Sequence, residues 1–276
     1  MDDFSGKSRS GVQIASSDHL TISIVTAVYN RADTIGDAIK SLQAQTHAYV
    51  EHILQDGGSS DGTLDVLAAF ADPRLRLESG RDGGIYDALN RGIARSTGEV
   101  VGLLHSDDLF AHPHVLAQVA AAFEDPQVEG VYGDLEYVAR NDPSRVIRYW
   151  RAGDYHPYLL RRGWMPPHPT LFLRRSVFER YGTYDTEFRI AADYEAILRW
   201  LTRGRIRLAY LPEVLVRMRV GGESNRSAGR ILRKSREDLR AIRRHNVGGV
   251  RVLAAKNLSK ITQFLWRDRS HSRGKQ

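Results

Sequence analysis

Two adjacent carboxylates, Asp107 and Asp108, close the apolar run Val100-Val101-Gly102-Leu103-Leu104-His105-Ser106. Like charges side by side at the end of a buried strand repel, so a cation is expected to hold them together. Hard divalent ions take oxygen ligands, and Mg²⁺ is commonly held by one or two carboxylates plus substrate phosphates. The pair therefore points to a metal and a phosphate. Two glycine-rich, acid-bearing loops accompany it, Asp56-Gly57-Gly58-Ser59-Ser60-Asp61-Gly62-Thr63 and Asp82-Gly83-Gly84. The first lacks the lysine and the spacing of a P-loop. No GxGxxG follows the first strand, no HExxH or paired-histidine spacing suits zinc, and Ser106 sits outside a GxSxG elbow. The 276 residues contain no cysteine, which excludes disulfides, thiolate metal sites and thiol nucleophiles.

The segments that must position these residues alternate strand with helix. Leu20 to Val28, Val50 to Gln55 and Leu75 to Glu78 read as strands, and Val100 opens the strand that delivers Asp107-Asp108. Helical spacing fills Ala32 to Gln45, Leu64 to Phe70 and Ile85 to Arg95. Asp61 is expected to cap the second of these helices. This β-α-β-α-β-α-β order predicts a mainly parallel sheet with right-handed crossovers and helices on both faces. Ligands of such sheets bind beyond the carboxyl ends of the strands. After Asp125 the pattern predicts strands over Val128 to Tyr132, Asp134 to Val138, Val146 to Trp150 and His168 to Leu173. Helices follow over Ser176 to Tyr181 and Ala192 to Arg203, then two strands within Ile206 to Val220 split at Pro212.

In this order, Tyr29-Asn30-Arg31, the Asp56 to Thr63 loop, Asp82-Gly83-Gly84-Ile85-Tyr86-Asp87-Ala88-Leu89-Asn90-Arg91-Gly92 and Ser106-Asp107-Asp108 resemble the motifs of glycosyltransferase family 2. His168-Pro169-Thr170-Leu171-Phe172, Ala192-Asp193-Tyr194-Glu195 and Gly221-Gly222-Glu223-Ser224 extend the resemblance, which is nearest to bacterial members that build polysaccharide repeat units. It spans residues 20–225, after a polar segment 1–19 and before a basic helical extension 226–276. It implies a GT-A fold (α/β, Rossmann-like, with a mainly parallel central sheet), a nucleotide-diphosphate sugar donor, partners among glycan or lipid-linked acceptors, a divalent cation (Mn²⁺ or Mg²⁺) and inversion at the anomeric carbon. Metal bridging of the two phosphates would stabilise the charge that develops on the leaving group.

The resemblance also implies roles for particular residues. Asp108 is the expected metal ligand, with Asp107 near the ribose or the metal's water shell. Asp56 is expected to accept a hydrogen bond from the base imide, a turn-stabilising role being the alternative, and Thr26, Val28 and Tyr29 to leave the first strand against the donor. Many family members carry a second acid after the first; this chain has Gly57 there. Asp82 is a further donor-side candidate, with Asp87 and Asn90 beside it, near helix amides that favour phosphate or sugar hydroxyls. Asp193 matches the base that removes the acceptor's proton, a helix-start cap being the plainer alternative. Glu195, two residues on, faces elsewhere. His168 is expected on the acceptor or pyrophosphate side, with a structural histidine as the alternative. Where many members place a metal-binding histidine, this chain reads Arg217-Met218-Arg219. Arg217 or Arg219 is then expected to offset diphosphate charge, since the guanidinium fork suits phosphate.

Two other classes remain open from sequence. A nucleotidyltransferase acting on sugar phosphates needs a glycine-rich basic loop after its first strand, which Tyr29-Asn30-Arg31 supports little. A non-catalytic sugar or nucleic-acid binding module leaves Asp108 and Asp193 unexplained, and no nucleic acid is expected.

The net charge of +7 is uneven: fifteen Lys/Arg against three acids give residues 226–276 a charge of +12, leaving −5 for the rest. Apolar stripes run through that tail at Ile231, Leu232, Leu239, Ile242, Val252, Leu253, Leu258, Ile261, Phe264, Leu265 and Trp266. The expectation is peripheral contact with the inner face of the cytoplasmic membrane, where each basic residue contributes about 1 kcal/mol. Packing on the catalytic body or a second subunit is the competing account. The polar start lacks a signal-peptide pattern and no apolar run is long enough to span a bilayer, so a cytoplasmic location is expected.

Overall fold

A computed structural model describes residues 20–70, 72–220 and 228–262 of the chain. The segment 1–19, the Gly221-Gly222-Glu223-Ser224 motif and the Phe264 to Trp266 stripe lie outside the described residues.

The amino-terminal half follows the sequence pattern closely. Strands β1 (Ile22–Val28), β2 (Val50–Asp56), β3 (Leu75–Ser79) and β4 (Val100–Leu103) alternate with helices α1 (Ile35–Gln43), α2 (Thr63–Ala68) and α3 (Ile85–Arg95). They form a parallel array in the order β3-β2-β1-β4. Every residue of β1, β2 and β4 is buried, as a sheet covered on both faces requires. Gly92 lets α3 press onto β1: a Cβ there would lie 2.4 Å from Val25 Cγ1.

The second half extends the sheet with mixed polarity. β5 (Leu109–Phe110) and α4 (Val115–Ala122) come first. Then follow β6 (Gly130–Ala139), β7 (Asp142–Trp150), β8 (Phe172–Arg174), α5 (Arg175–Tyr181), α6 (Ala192–Arg199) and β9 (Leu208–Arg219). β8 joins β4 and β6 antiparallel, β9 runs parallel to β6, β5 is antiparallel to β9, and β7 pairs with β6 alone.

Several boundaries differ from the sequence pattern for physical reasons. β6 is one strand rather than two, and β9 is not broken at Pro212. Instead the register jumps from Gly133↔Leu211 to Asp134↔Val214, so Pro212 and Glu213 sit in a bulge where the missing N–H costs no ladder bond. β4 ends at Leu103, and Asp107-Asp108 stand in a turn closed by Asp108 N–H to His105 O at 3.0 Å. Pro166-Pro167 precede a short turn over His168–Thr170, so the expected strand there starts at Phe172. α4 (VLAQVAAA) has too little polarity contrast to register as an amphipathic helix.

The basic extension forms α7 (Ala228–Arg244) and α8 (Val250–Thr262), broken near Gly248. Ala241, Ile242, Val247 and Val252 belong to the same buried cluster as α6. The described part of the extension is thus packed on the catalytic body.

Candidate active site

Because β1 to β4 are parallel, their carboxyl ends deliver Tyr29, the Asp56 loop, the Asp82 loop and the Asp107-Asp108 turn to one edge of the sheet. Asp56 is fully buried and organises the second loop: its carboxylate accepts from Gly58 N–H (3.0 Å), Ser59 N–H (3.1 Å) and the hydroxyls of Ser59 and Ser79. Asp61 accepts from the Thr63 and Ala32 amides at 3.0 and 3.1 Å, but the N-cap residue of α2 is Gly62, so Asp61 holds the first helical amide from one place outside the expected cap.

Gly57 forms the floor of a slot between Tyr29 and Asp82. A Cβ on Gly57 would lie 2.8 Å from Asp82 Oδ2 and 3.4 Å from Tyr29 Cδ2. The Tyr29 ring is 59% exposed. Asp82 Oδ1 accepts from Gly84 N–H at 2.9 Å, and Asp87 accepts from Gly83 N–H at 2.8 Å while pairing with Arg91. Asp82 thus places a carboxylate beside Gly57, the position after Asp56. Thr26 and Val28 do not reach this slot with their side chains. Thr26 Oγ1 bonds His52 Nε2 at 2.9 Å inside the sheet, and Val28 lies in the core. Strand alternation in a doubly covered sheet sends both side chains inward.

The metal candidate has an unusual environment. Asp108 is 1% exposed and neither carboxylate oxygen has a hydrogen-bond partner. Burial first, and the Asp107 charge second, push its pKa well above the carboxylate range. An unpaired buried carboxylate is costly, and a divalent cation is the chemistry that would satisfy it. Among the described residues no group of three acid or histidine side chains could hold a metal, so phosphate oxygens would complete the coordination. The two arginines expected near the diphosphate are committed to protein carboxylates. Arg217 Nε meets Glu136 at 3.1 Å, and buried Arg219 meets Asp37 at 2.6 Å. Neither guanidinium is hydrogen-bonded to Asp108.

The base candidate lies across the cleft. Asp193 is the second residue of α6, and Tyr86 Oη donates to its Oδ1 at 3.2 Å and to Ile190 O at 2.9 Å. Buried His168 shares a hydrogen bond of 2.8 Å with Tyr184 Oη, and its ring lies 6.0 Å from that of His105. Burial lowers the His168 pKa to about 4 despite the opposing charge of Asp193, so the imidazole is neutral at pH 7. Burial alone would raise Asp193, yet the charges of Lys234, Lys256 and His168 in its protonated form, with the Tyr194 amide, hold it below the usual carboxylate value. Asp193 is thus an ionised acceptor. Asn90 exchanges two hydrogen bonds with the Tyr184 backbone (2.8 and 2.9 Å), fastening α3 to this wall.

Tyr86, Tyr184 and His105 were not singled out by spacing. Tyr86 and Asp193 are separated by 107 positions, and no local pattern reports a pair that distant. The only available signal is a tyrosine opening α3, directly after the Asp82 loop.

Comparison with known proteins agrees with this arrangement. The family model for glycosyl transferase family 2 matches residues 23–182. A Mycobacterium tuberculosis protein described as an uncharacterized glycosyltransferase is 34% identical over 184 residues, covering 65% of this chain and 68% of that protein. A PGL/p-HBAD biosynthesis glycosyltransferase of Mycobacterium bovis is 32% identical over 208 residues, covering 74% of this chain and 78% of its own. The fold is similar to that of the Pyrobaculum calidifontis mannosyltransferase PcManGT in complex with GDP-Man and Mn²⁺ (TM-score 0.63, 20% identity, 86% of this chain and 69% of that one). It is also similar to S. aureus TarS 1-349 (TM-score 0.63, 16% identity, 88% and 72%). With a GT-A-like sheet, the ordered loops at its carboxyl edge and relatives of this identity, the chain belongs to glycosyltransferase family 2.

Proposed function

We propose that this glycosyltransferase moves one sugar, with inversion, from a UDP- or GDP-sugar to a polysaccharide or lipid-linked acceptor with the help of a divalent cation. The observation that carries the reading is the pairing of an unpartnered buried carboxylate, Asp108, with an ionised and positioned one, Asp193. Asp108, supported by Asp107, would hold Mn²⁺ or Mg²⁺ against the diphosphate, where the ion would stabilise charge on the leaving group. Tyr29, Asp82 and the loop shaped by Asp56 would receive the nucleoside. Arg217 and Arg219 would add positive potential near the diphosphate without direct contact. Asp193 would take the proton of the acceptor hydroxyl as its oxygen attacks the anomeric carbon. The bond to the donor oxygen breaks on the opposite face, and its electron pair leaves with the nucleoside diphosphate. Neutral His168 would line the acceptor side.

The printed ligands of the structural neighbours, GDP-Man with Mn²⁺ for PcManGT and UDP-GlcNAc for TarS, support both the donor class and the cation. No helix among the described residues is long and apolar enough to cross a membrane. Exposed Ile231, Leu232 and Leu258 among the arginines of α7 and α8 support contact with the inner face of the cytoplasmic membrane. A hydrolysis screen over UDP- and GDP-sugars with Mn²⁺ or Mg²⁺ tests the reading beside Asp108→Ala and Asp193→Ala. Asp108→Ala is expected to weaken donor binding, and Asp193→Ala to spare binding while abolishing turnover. Full activity in either variant refutes that residue's role.

A further inference from the structure

The turn that leads to Asp193 lies beyond residues 23–182, which the family model matches, and is held from both sides. Residues 185–191 lead into α6, whose first residue follows Ala191, and no side chain within this segment caps the helix. Instead Glu237, on α7, places one carboxylate oxygen against two successive amides, Ile190 N–H at 2.8 Å and Ala191 N–H at 2.9 Å. A carboxylate at the positive end of a helix is favourable, and here it also satisfies donors that lack a local acceptor. Tyr86 Oη donates to the carbonyl of the same Ile190. The turn is thereby gripped at its N–H groups by α7 and at its C=O by α3.

Further ties run along the same face. Lys256 of α8 is buried, donates to buried Asp238 at 2.7 Å and lies 3.2 Å above the Tyr194 ring, next to Asp193. Gly163 allows this approach, since a Cβ there would lie 2.5 Å from the Lys256 backbone nitrogen. Lys234 joins Asp238 at 3.2 Å, and His245 near the end of α7 meets Glu195 of α6 at 2.8 Å. Arg240 and Arg244 bind Glu187 and Asp185 on the lead-in. So many directed contacts on one short segment exceed what packing a basic tail requires.

We propose that Glu237 is a positioning residue for transfer, and that the carboxy-terminal helices complete the active site by fixing the turn that aims Asp193. This rests on Asp193 being the base. The aim of a general base matters steeply, because a displacement of about 1 Å can cost on the order of a hundredfold in rate. Lys234, and Lys256 in its protonated form, also favour the ionised form of Asp193; burial brings the Lys256 pKa down to about 7.

The test uses the full chain with Glu237→Ala and Glu237→Gln. The glutamine keeps an oxygen able to accept both amides, whereas alanine removes it. Hydrolysis of the fastest-turning donor in a UDP- and GDP-sugar panel is read as kcat and KM, and amide hydrogen exchange is followed at Ile190 and Ala191. Glu237→Ala is expected to lower kcat by about tenfold or more with donor KM changed less than about twofold, and to speed exchange at both amides. Glu237→Gln is expected to return kcat to within about threefold of wild type. Wild-type kcat in Glu237→Ala, or equal losses in both variants with unaltered exchange, overturns the proposal. Asp193→Asn run in parallel separates the two failures. If it is inactive while Glu237→Ala is normal, only the positioning role falls; if it turns over donor normally, the base assignment falls and the proposal with it.

Discussion

Arg219 bears electrostatically on Asp108 yet gives its salt bridge to Asp37, leaving both Asp108 oxygens buried and unpartnered. A carboxylate kept in that state destabilises the metal-free protein, because a buried polar group without a partner costs about 1–3 kcal/mol. Asp108→Asn is therefore expected to raise the thermal midpoint in chelator by a few degrees while removing Mn²⁺-dependent donor binding. Calorimetric unfolding with EDTA, and titration of UDP and GDP with and without Mn²⁺, check the two halves. An unchanged or lower midpoint together with retained metal-dependent binding would sink the assignment.

The Tyr86 hydroxyl has a divided role, donating to Asp193 and to Ile190 O. Tyr86→Phe keeps the ring against Tyr184, whose centroid lies 5.6 Å away, and deletes only the donor. The expected result is a fall in kcat of about three- to thirtyfold with donor affinity retained, since one hydrogen bond orienting a base contributes about 1–2 kcal/mol. Steady-state kinetics beside donor titration decides it. A rise in KM at constant kcat would place Tyr86 on the donor instead.

Much of this was legible in sequence, and the pattern of what was not is instructive. The parallel half was readable because strand, helix and turn signals each act within a few residues: Asp61 beside Thr63, Gly83-Gly84 before α3, Ile35 to Leu42 on one face. Motif order singled out Asp108 and Asp193 as candidates. What escaped is long-range. Thr26 was expected at the donor, but His52 on the adjacent strand takes its hydroxyl. Pro212 was expected to divide a strand, but the bulge opposite Gly133 and Asp134 absorbs it. Tyr86 and Glu237 reach the Asp193 turn across 107 and 47 positions respectively, contacts that only the assembled sheet and packed extension create.

The slot between Tyr29 and Asp82 exists because residue 57 has no side chain. Gly57→Ala is expected to drive the Asp82 carboxylate aside, since their 2.8 Å approach is below what a Cβ tolerates, and to raise donor KM by about tenfold or more. Gly57→Ala combined with Asp82→Gly removes the clash but also the acid, so donor affinity is expected to stay low. Recovery of wild-type KM in the double variant would mean that Asp82 contributes no contact to the nucleoside.

Contact with an anionic surface predicts a separate outcome. Ile231 and Leu232 are each more than half exposed on α7, so replacing both with Asp leaves the buried Ala241 and Ile242 seam intact. Co-sedimentation with vesicles containing anionic lipid is expected to fall for the double variant and with added salt, while donor hydrolysis in solution is retained. Equal sedimentation of variant and wild type at low salt would rule this face out.

Acid should loosen the seam between α6 and α7 through Glu195. Burial would raise its pKa, but hydrogen bonds from His245 and Arg199 and the Arg199 charge lower it from the ordinary glutamate range to about 2. Arg244 of α7 also faces it. Because the folded pKa is depressed, the unfolded chain binds the proton first as pH falls. The stabilisation is fully present above about pH 4.5 and is lost progressively toward pH 2, with an upper bound of about 3 kcal/mol. Glu195→Gln removes the titrating group at nearly constant shape. Urea unfolding at pH 7, 4 and 3 is expected to show wild type more stable than Glu195→Gln at pH 7, with the gap narrowing as the pH falls. A gap that stays constant with pH would show that the ionised Glu195 contributes nothing to the seam, leaving it to Ala241, Ile242, the Glu237 clasp and the Arg240 and Arg244 ion pairs.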